Sequence, residues 1–325
     1  MSAATVTLAI APVRGALVRR LIDQLGLHPD DAAISVEHWL RSEQAGKPCH
    51  GLIRAHDLLC SGRFARHDGR AAPAPTRLAP GRLHVDGVGS LGYPIVHRLI
   101  DHGCREARAH GHCLATGAGV YPSGALGDWA RLACAQGCGL ILLGGSPPRV
   151  AAPAGVTPLL GTNPICVGLP TEPPFICDSS TSAITHGDLL LAQASDAPLP
   201  ADAAVDDAGA CTRIAAEVAA LRSIGGSHKS FALAMAVELL CCLGGGVPGS
   251  PRHDEHGVFA LVLGPAVLTD LMPRFSERLA GFARTGAQIP GWRSGQRAAA
   301  DPDTVTLSAA SHARLAPLLR TEDLA

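Results

Sequence analysis

Apolar residues recur at helical spacing through residues 12–43, at Leu17, Leu21 and Leu25 and again at Ile34, Trp39 and Leu40. With His28-Pro29-Asp30-Asp31 between them, this predicts two helices and a turn. A further helical stretch is expected from about His50. Residues 67–82 are rich in proline, alanine and arginine with little periodicity and read as a connector, the first candidate domain boundary. Beyond it, Leu83-His84-Val85-Asp86 reads as a strand, 94–110 as an amphipathic helix, 112–116 as a strand, 125–136 as a helix and Leu140–Leu143 as a strand. That alternation predicts an α/β region. Residues 146–175 are punctuated by proline and glycine, with Ile165–Leu169 a buried strand, and 195–210 form an acidic, alanine-rich excursion. Helices are expected near 228–242 and 266–284, then a Pro290-Gly291 turn and a polar, alanine-rich helix. No repeat at solenoid periods is visible.

Composition narrows the function classes. At 325 residues the chain exceeds the size at which one core usually stops growing, so one large or two interleaved domains are expected. The near balance of 27 Lys+Arg against 28 Asp+Glu, without a basic run, leaves no electrostatic footprint for nucleic acid or a membrane surface. The apolar stretch Val6–Ala11 is followed, not preceded, by Arg14, Arg19 and Arg20, the reverse of a secretory signal. Phe231–Leu243 is interrupted by Glu238 and too short to span a bilayer. Eleven cysteines with no CxxC pair read as free thiols, which points to the cytoplasm.

Asp86-Gly87-Val88-Gly89-Ser90-Leu91-Gly92 spells GxGxxG between a strand and a helix, the setting of a dinucleotide fingerprint. A Rossmann unit would place an acid at the end of the second strand for the ribose. Here that strand runs into Gly117-Ala118-Gly119 instead, so the glycines read as a tight turn permitting close backbone approach.

Other residues carry better chemistry. In Cys49-His50-Gly51-Leu52-Ile53-Arg54, a helix would set His50 and Arg54 on one face, joining a proton donor to a guanidinium fork that matches a carboxylate. A solvated His and a surface Arg is the plainer alternative. Gly161-Thr162-Asn163-Pro164 and Asp178-Ser179-Ser180-Thr181-Ser182 cluster hydroxyls and backbone N–H groups suited to phosphate or ribose, or else form a capped helix start. Gly225-Gly226-Ser227-His228-Lys229-Ser230 opens a helix, where a cation and a helix N-terminus converge on an anion.

The order of these motifs, over roughly residues 45–295, resembles the malate/L-lactate dehydrogenase family, which is distinct from the classical Rossmann lactate and malate dehydrogenases. It includes Δ1-piperideine-2-carboxylate/Δ1-pyrroline-2-carboxylate reductases, 2,3-diketogulonate reductase, and ureidoglycolate and sulfolactate dehydrogenases. The resemblance implies a mixed α/β, non-Rossmann NAD(P)-binding fold, usually a homodimer. A mainly helical domain of residues 1–75 and 265–325 would stand beside a cofactor domain of 76–264. His50 would be the acid/base and Arg54 a carboxylate ligand. Asp178, Ser180, Thr181, His228 and Lys229 would bind NADPH or NADH, with Gly291, Trp292 and Arg293 closing over it, and Thr162 and Asn163 would shape the active-site wall. The chain departs from the family at Cys49 for serine, Leu58 for tyrosine, Pro122 for a second histidine, and Ser227 and Ser230 for small residues.

The leading expectation is hydride transfer from NAD(P)H to C2 of a small cyclic 2-imino acid or 2-oxo acid. The alternatives are a malate-, lactate- or ureidoglycolate-type 2-hydroxy acid dehydrogenase and, motivated by Pro122 and Ser230, a catalytically degenerate nucleotide-binding paralogue. A metal enzyme is suggested by His110-Gly111-His112-Cys113 and His253-Asp254-Glu255-His256, but neither has the spacing of a strong metal motif, so no metal is expected.

Overall fold

The computed structural model describes residues 4–62, 64 and 67–319. Contacts divide the chain into two units, one of residues as far as Ala72, His186–Ala197 and from Ser294 onward, the other of Pro73–Thr185 and Pro198–Arg293.

In the first unit, β1 (Thr5–Ala9) leads into α1 (Ile10–Leu25) and α2 (Pro29–Gln44). Helix α1 buries Val13, Leu17, Leu21 and Leu25 along one stripe and stops at Gly26, whose φ of 65° lets its N–H return to Ile22. Helix α2 starts where the sequence signals it: Pro29 occupies the first turn, the His28 ring accepts the Asp30 N–H, and Asp30 and Asp31 face the positive end of the helix dipole. A 3-10 turn (Pro48–His50) and α3 (Ile53–Cys60) follow. The unit is completed by α6 (His186–Ser195), most of α10 (Trp292–Ala300), β14 (Thr304–Ser308) and α11 (Ala309–Leu315). Strand β14 pairs antiparallel with β1, from Thr5↔Ser308 to Ala9↔Thr304, and so joins the two ends of the described chain.

The second unit is built on a seven-stranded sheet. Its strands are β2 (Thr76–Ala79), β3 (Arg82–Asp86), β4 (His112–Ala118), β5 (Gly139–Gly144), β8 (Ile165–Leu169), β9 (Phe175–Ser179) and β13 (Val258–Leu263), in the order β2-β3-β4-β13-β5-β8-β9. β3 and β4 are parallel, linked by α4 (Gly92–His110), and every other pairing in the sheet is antiparallel. A doubly wound dinucleotide fold has a largely parallel sheet, so the topology is non-Rossmann. Gly103 of α4 abuts Val262, and Gly168 abuts Ala130 of α5 (Leu126–Ala135). The alternate residues Phe259, Ile141 and Leu143 pack instead with Val237 and Cys241 of α7 (His228–Cys242), so the sheet lies between two helical layers. A smaller five-stranded sheet is made by β6 (Val150–Ala151), β7 (Pro158–Leu160), β10 (Ala204–Val205), β11 (Cys211–Thr212) and β12 (Ala220–Leu221). α8 (Pro265–Leu268) and α9 (Met272–Arg284) close the unit.

Most strands beyond β3, β4, β5 and β8 depart from the sequence expectations. β2 falls inside the expected connector, while β1, β9, β13, β14 and the five short strands of the smaller sheet come from stretches in which no strand is predicted. The division of the chain also differs from residues 1–75 plus 265–325 against 76–264. α8 and α9 stay with the sheet unit because Leu268 packs on Gly139 and Ser276 accepts the Glu172 N–H at 3.0 Å. Residues 186–197 belong with the first unit because Gly187 backs directly onto the Cys49 carbonyl.

Strand register decides which loops meet. Asp86 pairs with Ala118, Val258 with both Gly117 and Gly144, Leu143 with Ile165, and Ile165 with Ser179. The segments 87–91, 119–125, 145–146, 161–164, 180–182 and 253–257 are therefore gathered at one sheet end. The GxGxxG glycines serve this convergence by close approach. A Cβ on Gly92 would lie 2.5 Å from the Pro122 carbonyl oxygen, and one on Gly119, at φ 62°, would lie 2.5 Å from the Val88 nitrogen.

One buried polar link ties this end to α7. Asn163, fully buried at φ 33°, donates Nδ2 to the Ala234 carbonyl at 3.1 Å and to Glu238 Oε2 at 2.6 Å, and Glu238 Oε1 accepts the Gly249 N–H at 2.6 Å. Asn163→Ala takes a donor from a buried carboxylate and is expected to cost about 2 kcal/mol. Urea unfolding checks this as a lower midpoint at unchanged slope; an unmoved midpoint would mean that Gly249 alone satisfies Glu238.

Candidate active site

His50 does not share a helix with Arg54, contrary to the i, i+4 expectation. His50 ends the 3-10 turn, Gly51 leaves it at φ −85°, ψ −149°, and α3 starts only at Ile53. The break has a local cause: a Cβ on Gly51 would fall 1.9 Å from Glu43 Oε2, so the backbone runs directly against that carboxyl. Glu43 Oε2 also accepts the Leu52 N–H at 2.9 Å. Arg54 is 8% exposed, and its Nη1 lies 3.1 Å from Asp57 Oδ2 one turn along α3. The segment thus offers a half-buried imidazole and a buried, oriented guanidinium four residues apart. The Arg54–Asp57 pair was visible in the sequence as an i, i+3 spacing. Glu43 was not, since nothing in its spacing from His50 signals contact.

At the sheet end of the second unit, Gly161–Pro164 and Asp178–Ser182 are brought together. Thr181 is buried; its N–H bonds the Thr162 carbonyl at 3.0 Å, and its hydroxyl donates to the carbonyls of Thr162 and Asn163, both at 3.1 Å. The Thr162 N–H donates to Ser146 Oγ at 3.0 Å. Ser180 Oγ donates to the Ser182 carbonyl at 2.8 Å, and Ser182 Oγ to that of Ile184 at 2.6 Å. Much of the hydroxyl cluster therefore shapes its own loop. Asp178 Oδ2 accepts the Gly127 N–H at 2.9 Å in the first turn of α5, an anion at a helix N-terminus.

The same loop carries the start of α7. Ala183 N–H bonds the Arg222 carbonyl at 2.8 Å and Ile224 N–H that of Thr181 at 3.1 Å. Gly225 and Gly226, at φ 63° and 59°, turn the chain into the Ser227 N-cap. His228 and Lys229 follow in the first helical turn, both exposed. A nicotinamide dinucleotide fits such a donor set, since amides at a helix N-terminus and a lysine ammonium match a phosphate. Gly291, at φ 88°, is pressed against Ile176, and its carbonyl accepts Arg131 Nη2 at 2.8 Å. Trp292 Nε1 donates to the Pro173 carbonyl at 3.2 Å, and Arg293 is exposed. Trp292 is thus held at the opposite end of β9 from Ser179, away from Ser180 and Thr181.

The loop that departs from the family at Pro122 holds a ring cluster. Tyr121 stacks on His253 at 4.9 Å between centroids and meets His256 at 5.8 Å. Burial pushes the His256 imidazole down to about 4, and the nearby His253 and Arg149 charges act the same way. Among the described residues, no group of three or more His, Cys, Asp or Glu is arranged to hold a metal.

The malate/L-lactate dehydrogenase family model matches residues 14–304, and the chain belongs to that family. It is an NAD(P)-dependent oxidoreductase of the dehydrogenase/reductase type. It is 30% identical over 294 residues to Delta(1)-pyrroline-2-carboxylate/Delta(1)-piperideine-2-carboxylate reductase of Pseudomonas aeruginosa, covering 83% of this chain and 86% of that one. It is also 30% identical over 260 residues to an L-lactate dehydrogenase of Cupriavidus necator, covering 74% and 73%. Its fold superposes on delta1-piperideine-2-carboxylate reductase from Pseudomonas syringae pv. tomato with a TM-score of 0.82 at 25% identity, over 96% of this chain and 99% of that one.

The ring cluster sets an acid limit on stability. His256 is kept neutral in the fold below the ordinary histidine value, so its contribution is present above about pH 6.5 and is lost as pH falls toward 4. His256→Gln should remove that dependence, closing the wild-type advantage by on the order of 3 kcal/mol across this window. Paired denaturation curves at pH 7 and pH 4.5 test it; parallel losses in both proteins would assign the acid limb to other groups.

Proposed function

We propose that the chain is a cytoplasmic NAD(P)H-dependent reductase acting on C2 of a small cyclic 2-imino acid of the Δ1-pyrroline-2-carboxylate or Δ1-piperideine-2-carboxylate type, or on a 2-oxo acid. The observation that carries this reading is the buried Arg54 guanidinium, oriented by Asp57, four residues from the half-buried His50 imidazole. The reductase names of the relatives from Pseudomonas aeruginosa and Pseudomonas fluorescens support the imino acid. The lactate dehydrogenase relative supports a 2-hydroxy acid dehydrogenase as second reading.

In this reading Arg54 holds the substrate carboxylate, its planar fork fixing the orientation of C2. The reduced nicotinamide, when bound, supplies the hydride to C2. His50 gives its proton to the developing amine or alkoxide and, being partly exposed, regains one from solvent. His228, Lys229 and the α7 N-terminus hold phosphate, while Asp178 and Ser180 line the nucleotide, buried Thr181 bracing their loop from within, and Gly291, Trp292 and Arg293 close over the nucleotide from the other end of β9. Thr162 and Asn163 shape the wall, Asn163 through its backbone because its side chain is buried. The eleven free thiols fit a reducing compartment.

We also read the chain as a homodimer through α7. Leu239 and Leu243 are 62% and 67% exposed, and Leu233, Met235 and Leu240 extend the same uncovered apolar surface. Leu239→Lys with Leu243→Lys should convert a dimer into a monomer in size-exclusion light scattering, and an unchanged mass would remove α7 from the interface.

Purified protein should oxidise NADPH or NADH with Δ1-pyrroline-2-carboxylate, Δ1-piperideine-2-carboxylate, pyruvate or oxaloacetate, and the preferred substrate separates the two readings. His50→Ala should lower kcat by roughly 100-fold or more while the cofactor Kd stays within about twofold. A mutant with undiminished rate overturns the role of His50. Absence of oxidation with every substrate and both cofactors favours a degenerate paralogue.

A further inference from the structure

We propose that Glu43 is a positioning residue for His50: its buried carboxyl pins the Gly51-Leu52 backbone and thereby fixes where the imidazole points during proton transfer. The inference rests on the reading in which His50 supplies the proton. Glu43 lies in the last turn of α2, 8% exposed. Its Oε2 takes the Leu52 N–H at 2.9 Å, two residues after His50. The backbone at Gly51 is so close that a Cβ there would sit 1.9 Å from Oε2 and 2.8 Å from the carboxyl carbon.

The turn is confined from other directions as well. His50 N–H bonds the Lys47 carbonyl at 3.0 Å and Gly51 N–H that of Pro48 at 3.1 Å. Gly187 of α6 backs onto Cys49, where a Cβ would lie 2.2 Å from the Cys49 oxygen. The Glu43 bond is made by a side chain from outside the turn, so it can be removed without changing the sequence of the turn itself.

The chemistry of the carboxyl makes the test selective. Burial pushes it up to about 7, opposed by the Leu52 N–H, so near neutral pH it is substantially uncharged and glutamine is its close mimic. Glu43 also lines a cavity of about 310 Å³ with Ser195, Thr306, Ser308 and Ser311, which gives neutral replacements room.

Glu43→Met, Glu43→Ala and Glu43→Gln are compared with wild type and His50→Ala. The readouts are amide exchange at Leu52, cofactor Kd, and kcat and KM with NADPH and the preferred substrate among those above. The expected result for Met and Ala is Leu52 exchange at least tenfold faster, kcat at least tenfold lower, and KM and cofactor Kd within about threefold of wild type. Glutamine should restore exchange and kcat to within about threefold. Should the alanine variant fail to fold, the methionine variant carries the same comparison. The proposal is overturned if Leu52 exchange is unchanged in the methionine variant, if kcat stays within threefold of wild type, or if glutamine fails to rescue. If His50→Ala keeps its rate, the reading of His50 fails. If His50→Ala is inactive while Glu43→Met turns over normally, only the positioning role of Glu43 fails.

Discussion

The pairing of β13 with both β4 and β5 is the constraint on which the second unit depends. Six residues, Val258–Leu263, hydrogen-bond antiparallel to two neighbours at once, and their alternate side chains serve two layers. Val262 meets Gly103 of α4, while Phe259 packs with the cluster that contains Val237 and Cys241 of α7. Because Val258 is locked to Gly117 and Gly144 together, the loops after β4 and β5 end at the same level. A one-residue slip would exchange the side chains that β13 presents to the two layers and separate those loops.

Polar links then convert a shared sheet end into a defined surface. Thr181 fastens the Asp178–Ser182 loop to Thr162 and Asn163, and Asn163 fastens both to α7 through Glu238. These bonds are buried, where leaving a partner unmet costs most. The loop that presents His228 and Lys229 is therefore positioned from inside the molecule, although both side chains face solvent. A similar principle operates in the first unit, where a buried carboxyl, not a surface residue, borders the turn that carries His50.

Much of this was legible from residue pattern. Helix α7 was expected at 228–242 and β8 at 165–169, because long apolar periodicity and a short apolar run bounded by turns are local signals. The GxGxxG segment reads as a tight turn because the acid that a ribose requires is missing after β4, and in the structure the Ser90 N–H closes it onto the Gly87 carbonyl at 2.9 Å. What failed was also local inference. The spacing of His50 and Arg54 allows one helix, yet the residue between them that cannot carry a side chain is dictated by Glu43, which has no motif relation to His50.

The sequence by itself determined the helices with clean apolar stripes, the turn chemistry of Pro29, Gly26 and Gly291, the charge balance and the order of motifs that marks the family. These depend on residues within a few positions of each other. Tertiary structure alone decided that β13 enters the centre of the sheet, that β14 returns to β1, that Trp292 is held at Pro173, and that Asn163 and Thr181 turn inward. Each of those outcomes is a pairing between residues far apart in the chain, chosen by which buried surfaces and hydrogen bonds can be satisfied together. No window of sequence holds both partners.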